Sequence, residues 1–215
     1  MDFSFKNRSA FLNQLRNSSF DILVIGGGIT GAGIALDATA RGLKVALIEM
    51  QDFAGGTSGR STKLIHGGLR YLKQFEFNLV SEIGKEREII YQNAPHLTKP
   101  QPMLLPIVKQ GSLGKISSRL GMWLYERLAG VKKEERHKRL TPEQTLIAEP
   151  LLKKNNLLGG ILFYEYHTDD ARLTMEIIKE AVSSGATALN YMQAVSFVTH
   201  KEIISGAKVK DILSG

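Results

Sequence analysis

The sequence contains no cysteine in its 215 residues. That absence excludes disulfides, thiolate nucleophiles, iron–sulfur clusters and cysteine-type zinc sites. Histidine is scarce as well, and His66, His96, His137, His167 and His200 stand too far apart for a short His-x-x-x-His ligand pair. No metal is therefore expected. The first twenty residues carry charges throughout and lack a continuous apolar stretch, so they do not read as a secretory signal. The uncharged run Ile22–Leu36 has 15 residues, five of them glycine. It falls short of the roughly 20 apolar residues a membrane span needs. The expectation is a cytoplasmic protein, soluble or attached to a surface.

Lysine and arginine number 28 against 21 acidic residues, a net charge of +7, and 43% of the chain is hydrophobic. At roughly 100–200 residues per domain, that is one large domain or two small ones with a sizeable core. The basic run at 132–139 lacks the aromatic interleaving of a nucleic-acid surface and reads as a solvated face. No nucleic-acid partner is expected.

Asp21–Ile25 is a short apolar run ending at Gly26, which reads as a buried strand. Ala32, Ala35, Leu36, Ala38 and Ala40 favour a helix from Ile29 to about Arg41, and Gly42 stops it. Lys44–Ile48 is a second buried strand closed by Glu49, which completes a βαβ unit. Residues 50–70 have loop composition. Further helices are predicted over Asn78–Gln92, Gly114–Gly130 and, behind Asp169-Asp170, up to Ser183. Four prolines make Pro95–Pro106 extended or turning. Strands are predicted at Gly159–Tyr166, Ala186–Tyr191, Ala194–Thr199 and Ala207–Leu213, and the last two have no partner after Gly215. The chain reads as the front of a longer protein.

Gly26-x-Gly28-x-x-Gly31 lies where the first strand becomes the first helix. Gly26 permits a tight turn, Gly28 admits a pyrophosphate against bare backbone, and Gly31 lets helix and strand pack closely. The helix N-terminus offers amides and partial positive charge to phosphate. Glu49 ends the second strand, where an acid accepts hydrogen bonds from a ribose diol. The bare glycine pattern would occur by chance roughly 0.2 times in a chain of this composition; its setting between strand and helix is what makes it specific. The motif does not separate FAD from NAD.

The stretch from Glu49 to Tyr71, EMQDFAGGTSGRSTKLIHGGLRY, closely resembles the FAD-binding region of flavin-dependent sn-glycerol-3-phosphate dehydrogenases. It departs chiefly at Gly59, where Ser is usual. The resemblance continues through GKERE (84–88), APHL (94–97), MLLP (103–106), LAGVKK (128–133), EPLLKK (149–154) and YEYHTDDARLT (164–174). It implies an α/β fold: a Rossmann-like FAD-binding domain of the glutathione-reductase-like class, with the start of a second, substrate-side region and the remainder beyond Gly215. Residues 1–20 are read as a polar, amphipathic lead, and 21–215 as the discontinuous FAD-binding domain with a helical insertion at about 95–150.

The resemblance also implies roles. Gly26, Gly28, Gly31, Glu49, Thr57, Ser58, Ser61, Thr62, Lys63 and Leu64 would hold FAD, with hydroxyls, amides and the Lys63 cation around the pyrophosphate and ribityl chain. His66 would be the base for the C2 hydroxyl of glycerol 3-phosphate. Arg70 and Tyr71 would take its phosphate, since a guanidinium grips a dianion bidentately. Electrons would leave to a quinone, with the protein peripheral on the inner face of the plasma membrane and a homodimer left open. Two rivals stand beside this reading: a glycerol-3-phosphate oxidase that releases hydrogen peroxide, and a non-catalytic dinucleotide-binding fragment.

Overall fold

Four consecutive apolar residues at Ile22 and again at Val45 form the parallel strand pair that their composition predicts. The structure, a computed structural model, describes residues 3–68, 71, 74–109 and 115–215, with 115–120 described by backbone alone. In chain order its elements are α1 (Arg8–Asn17), β1 (Ile22–Ile25), α2 (Ile29–Ala40), β2 (Val45–Ile48), β3 (Leu64–Ile65), α3 (Phe77–Asn93), β4 (Thr98–Val108) and α4 (Lys115–Leu128). Then follow β5 (Lys138–Leu140), α5 (Pro142–Ala148), β6 (Leu157–Thr168), α6 (Asp170–Ser183), β7 (Thr187–Leu189), β8 (Met192–His200) and β9 (Ile203–Asp211).

The chain divides into two units, Met1–Lys63 with Asp169–Gly215, and Leu64–Thr168. These boundaries differ from the sequence reading. The second unit starts well before residue 95, and beside its helices it contains an antiparallel sheet. β4 (Thr98–Val108) falls on the proline-rich segment that the sequence marks as extended or turning, inside what the domain reading takes as a helical insertion.

In the first unit, β1, β2 and β7 form a parallel sheet in that order. Ile22 stands beside Val45, and Ala46 beside Thr187. The small residues Ala32, Ala35 and Ala38 are buried on one face of α2, which lets α6 pack directly against it. Asp169 caps α6, its side chain accepting from the Arg172 amide at 3.1 Å, as the sequence predicts. The supposed lead is part of this core: Phe11 of α1 is buried among these residues. Arg8 donates to the Asn190 carbonyl at 2.9 Å and pairs with Asp211 at 2.7 Å. An amphipathic helix without an obvious partner cannot be assigned to a core from its own sequence, and that is why the lead was set apart.

β8 and β9 pair as a hairpin from Met192–Asp211 to His200–Ile203. Its turn is Lys201-Glu202, both at positive φ. Neither residue is a turn former of the Asn-Gly kind, so the predicted strands stopped short of it.

In the second unit β6 is the central strand. β4 runs along one edge, while β3 and β5 share the other. Pro100, Pro102 and Pro106 are tolerated because β4 pairs on one side only. Thr141 and Gln144 form a reciprocal capping box that starts α5. Met122, Tyr125 and Ala129 of the α4 region are buried, whereas Trp123 is exposed with the Arg127 guanidinium over its ring. The 132–139 run is only partly solvated: Lys132 pairs with Glu88 at 2.9 Å, and Lys138–Leu140 is β5.

Burial works against ionisation of Asp211, but the Arg8 guanidinium, the Leu213 amide and the Ser214 hydroxyl outweigh it and hold the carboxyl below its ordinary range. A depressed acid contributes stability that is complete above its unfolded value, about 3.9, and is lost as pH falls through the folded one. Arg8→Ala is therefore expected to cost about 1.5–3 kcal/mol at pH 7. The difference from wild type should shrink below about pH 4. Urea unfolding of both proteins at pH 7 and pH 3 measures it; an equal cost at both values refutes the assignment.

Candidate functional site

The first candidate site lies on the first unit, where β1 turns into α2. Gly26 sits at φ +116°, a conformation reserved for glycine, and its amide donates to the Ile48 carbonyl at 2.8 Å. A Cβ at Gly31 would run into the Gly26 carbonyl oxygen, so the helix approaches the strand as closely as the motif requires. Gly28 is the N-cap of α2 and has no side chain to offer. The first intrahelical bond runs from the Ala32 amide to the Gly28 carbonyl at 2.9 Å. The Thr30 and Gly31 amides thus lie ahead of the helical ladder.

Glu49 has a structural task that the sequence reading did not foresee. Its Oε2 accepts from the Gly27 amide at 2.8 Å and its Oε1 from the Gln51 amide at 2.7 Å. Each oxygen retains a lone pair for a diol. Gly27 itself was overlooked as a motif position: a Cβ there would press into Phe53 and Glu49. The signal was present, since three glycines stand in a row where the fingerprint needs only two.

The loop after β2 folds back on this turn. Thr57–Gly59 forms a 3₁₀ turn, and Ser58 Oγ accepts from the Ile29 amide at 2.8 Å. A Cβ at Gly28 would lie 2.9 Å from that same Oγ. Gly59, the point of departure from the resembled wording, packs so that a Cβ would strike the Ala54 carbonyl oxygen. Ser61 hydrogen-bonds Asp170, and Lys63 Nζ lies 3.5 Å from the same carboxylate and donates to the Gly59 carbonyl at 2.9 Å. Asp170, which the sequence places with Asp169 at a helix start in a segment the resemblance includes, thus also engages this loop. Thr57 and Thr62 are exposed. Leu64 belongs to β3 of the second unit, paired with His167.

The second candidate site lies on that unit. His66 follows β3 with its side chain exposed. The next amide, Gly67, donates to Glu165 Oε2 at 2.8 Å. Glu165 is buried, and burial pushes its carboxyl above the ordinary carboxylate range, against the opposing pull of the Gly67 amide, Arg87 and His66. Arg87, also buried, approaches Glu165 at 3.5 Å and donates to Tyr125 Oη at 3.1 Å. Tyr71 is exposed, and its amide donates to the Gly68 carbonyl at 2.9 Å. Arg70 lies outside the described residues. Glu165 and Arg87 sit in segments the sequence analysis quoted, but only the fold reveals that they meet.

Chemically, the first site suits an anionic diphosphate: bare glycine backbone, helix-terminal amides, hydroxyls and one cation converge on it. The residues fit the FAD that the resemblance implies. Gly31→Ala should separate α2 from β1 and lower the stability of this unit by about 1–3 kcal/mol, an overpacking cost. A thermal melt unchanged from wild type would refute the close approach.

Residues 21–212 match the family described as FAD dependent oxidoreductase, DAO. The chain is 55% identical over 216 aligned residues to the aerobic glycerol-3-phosphate dehydrogenase of Staphylococcus haemolyticus, covering 100% of this chain and 39% of that protein. It is 56% identical over 208 residues to the aerobic glycerol-3-phosphate dehydrogenase of Staphylococcus aureus, covering 96% and 37%. The crystal structure of glycerol-3-phosphate dehydrogenase from Bacillus halodurans complexed with FAD superposes with a TM-score of 0.76 at 46% identity, over 99% of this chain and 34% of that one. The chain thus spans less than two fifths of the length of the curated relatives it matches. The family match, which takes in the glycine turn and nearly the whole chain, shows that this chain belongs to the FAD-dependent oxidoreductases.

Proposed function

We propose that this chain is the cofactor-side portion of an enzyme that oxidises sn-glycerol 3-phosphate to dihydroxyacetone phosphate and passes the electrons to a quinone. The observation that supports it most directly is the 55% identity, along the whole chain, to a relative named for that dehydrogenation. The identity spans both candidate sites.

Bound FAD supplies the acceptor for the hydride that leaves C2. The chain supplies position and charge. The Gly26–Gly31 turn, with the Thr30 and Gly31 amides, holds the diphosphate, and Glu49 receives the adenosine ribose diol with its remaining lone pairs. Thr57, Ser58, Ser61, Thr62 and Lys63 would line the diphosphate and ribityl chain. Neutral His66 takes the proton of the C2 hydroxyl, which leaves a ketone once C2–H is lost. Arg70 grips the substrate phosphate and Tyr71 hydrogen-bonds it.

Among the described residues, no helix is long and apolar enough to cross a membrane. Contact with the membrane that carries the quinone is then peripheral, on the cytoplasmic face. The net charge of +7 favours an anionic leaflet by about 1 kcal/mol per basic group near the surface. Co-sedimentation with phosphatidylserine vesicles should weaken as salt rises; binding indifferent to salt counts against this attachment.

In the whole protein, glycerol 3-phosphate should bleach the flavin absorbance anaerobically. His66→Asn should lower the limiting rate of that reduction about 10²–10⁴-fold. Arg70→Ala should act chiefly on KM, by about 10- to 150-fold, the value of a charge-assisted contact. Near-normal reduction in His66→Asn removes His66 as the base. Stoichiometric peroxide release in air reassigns the protein as an oxidase. A protein that holds no flavin leaves the non-catalytic reading.

A further inference from the structure

Glu165 is an expensive residue to place where it is. Its side chain and that of Arg87 are only 5% and 3% exposed, yet they approach each other no closer than 3.5 Å. Arg87 Nε is buried without a hydrogen-bond partner among the described residues, and the guanidinium lies 4.8 Å from the centre of the Tyr166 ring. A buried pair of this geometry contributes little net stability, and apolar residues of similar volume could replace it without loss. The carboxylate's best contact is instead the Gly67 amide, at 2.8 Å. Three elements meet at Gly67: β6 supplies Glu165 to its amide, and α3 and α4 bring Arg87 and Tyr125 against its Cα. A Cβ at Gly67 would run into the Tyr125 hydroxyl and lie 2.8 Å from Arg87 Nη1, so the backbone there is seated directly on the cluster. β3 ends at Ile65, in register with Tyr166. His66 is therefore suspended between a paired strand residue and a clamped amide.

We infer that Glu165, braced by Arg87 and Tyr125, is a positioning residue that fixes the Gly67 amide and through it aims the His66 imidazole. The inference rests on the reading of His66 as the base. It explains why a poorly paired charge is buried in the second unit: the clamp is set one residue away from the group that must meet a substrate hydroxyl within hydrogen-bond reach. Displacement of a reacting group by about 1 Å can cost 10²-fold in rate.

The test uses the whole protein with FAD bound, and follows flavin reduction by sn-glycerol 3-phosphate in single-turnover mixing. Glu165→Ala should lower the limiting rate by about 10- to 100-fold. Its flavin content and half-saturating substrate concentration should stay within about 3-fold of wild type, because the Glu165 carboxylate is buried against the Gly67 amide. Glu165→Gln keeps an acceptor for the Gly67 amide and should recover most of the rate. In a His66→Asn background, Glu165→Ala should cost nothing further, since its effect passes through His66. If Glu165→Ala does not fold, Tyr125→Phe withdraws one brace and should lose about 2- to 10-fold, again only when His66 is present. A normal rate in both variants overturns the proposal. So does an additive loss on His66→Asn, which leaves His66 as base untouched. A near-normal rate in His66→Asn alone removes the base reading and this proposal with it.

Discussion

Glu49 is the joint on which the cofactor-side unit depends. Its amide donates to the Leu189 carbonyl at 3.0 Å, and its carbonyl accepts from the Met192 amide at 2.7 Å. Its two carboxylate oxygens accept from Gly27 and Gln51. One residue thereby ties the end of β2 to β7, to the strand that follows it, to the glycine turn and to the loop that returns over that turn. Leaving a buried amide without an acceptor costs about 1–3 kcal/mol. Here such a loss would fall on the segment whose backbone must stay open to a diphosphate. The acid that the sequence reading assigns to a ribose contact is thus a structural clamp, both of its carboxylate oxygens being engaged by backbone amides.

The same device recurs in the second unit, where Glu165 receives the Gly67 amide at the same 2.8 Å. The surroundings differ. Glu49 is half-buried and its carboxylate meets backbone amides alone, so solvent bears part of its charge. Glu165 is buried, and burial outweighs the Gly67 amide and Arg87 and raises its carboxyl above the ordinary carboxylate range. A glycine amide held by a glutamate is a rigid arrangement in either case, because glycine lets the carboxylate come against bare backbone. The first clamp shapes a binding surface; the second fixes the chain beside a histidine.

What the sequence made legible follows from the range of each interaction. The βαβ turn depends on residues within about thirty positions, and Gly26, Gly28, Gly31 and Glu49 all stand where their spacing put them. The α6 cap at Asp169 is as local, and it too is legible in the sequence. The contacts that escaped are long-range: Arg8 with Asp211, Asp170 with Ser61 and Lys63, and Arg87 with Glu165. No periodicity encodes them. The hairpin turn at Lys201-Glu202 escaped for a different reason, since strand pairing there overrides two residues with little preference for positive φ. Trp123 shows the converse, an amphipathic helix whose largest residue lies on the exposed face while Tyr125 is buried.

The loop donors of the first site are not all equally available to a ligand. Ser61 already donates to Asp170, whereas Ser58 only accepts from the Ile29 amide and keeps its own hydrogen to donate. Asp170 also lies within ion-pair reach of the Lys63 cation of this loop. The helix-terminal amides of Thr30 and Gly31 face no competition from the ladder, because the first intrahelical bond begins at Ala32. They thus stay ahead of the helical ladder, while the hydroxyl loop is already engaged with Asp170. A segment rich in Gly, Ser and Thr has high conformational entropy to lose, and the Asp170 carboxylate offsets part of that loss by holding Ser61 and lying within ion-pair reach of Lys63.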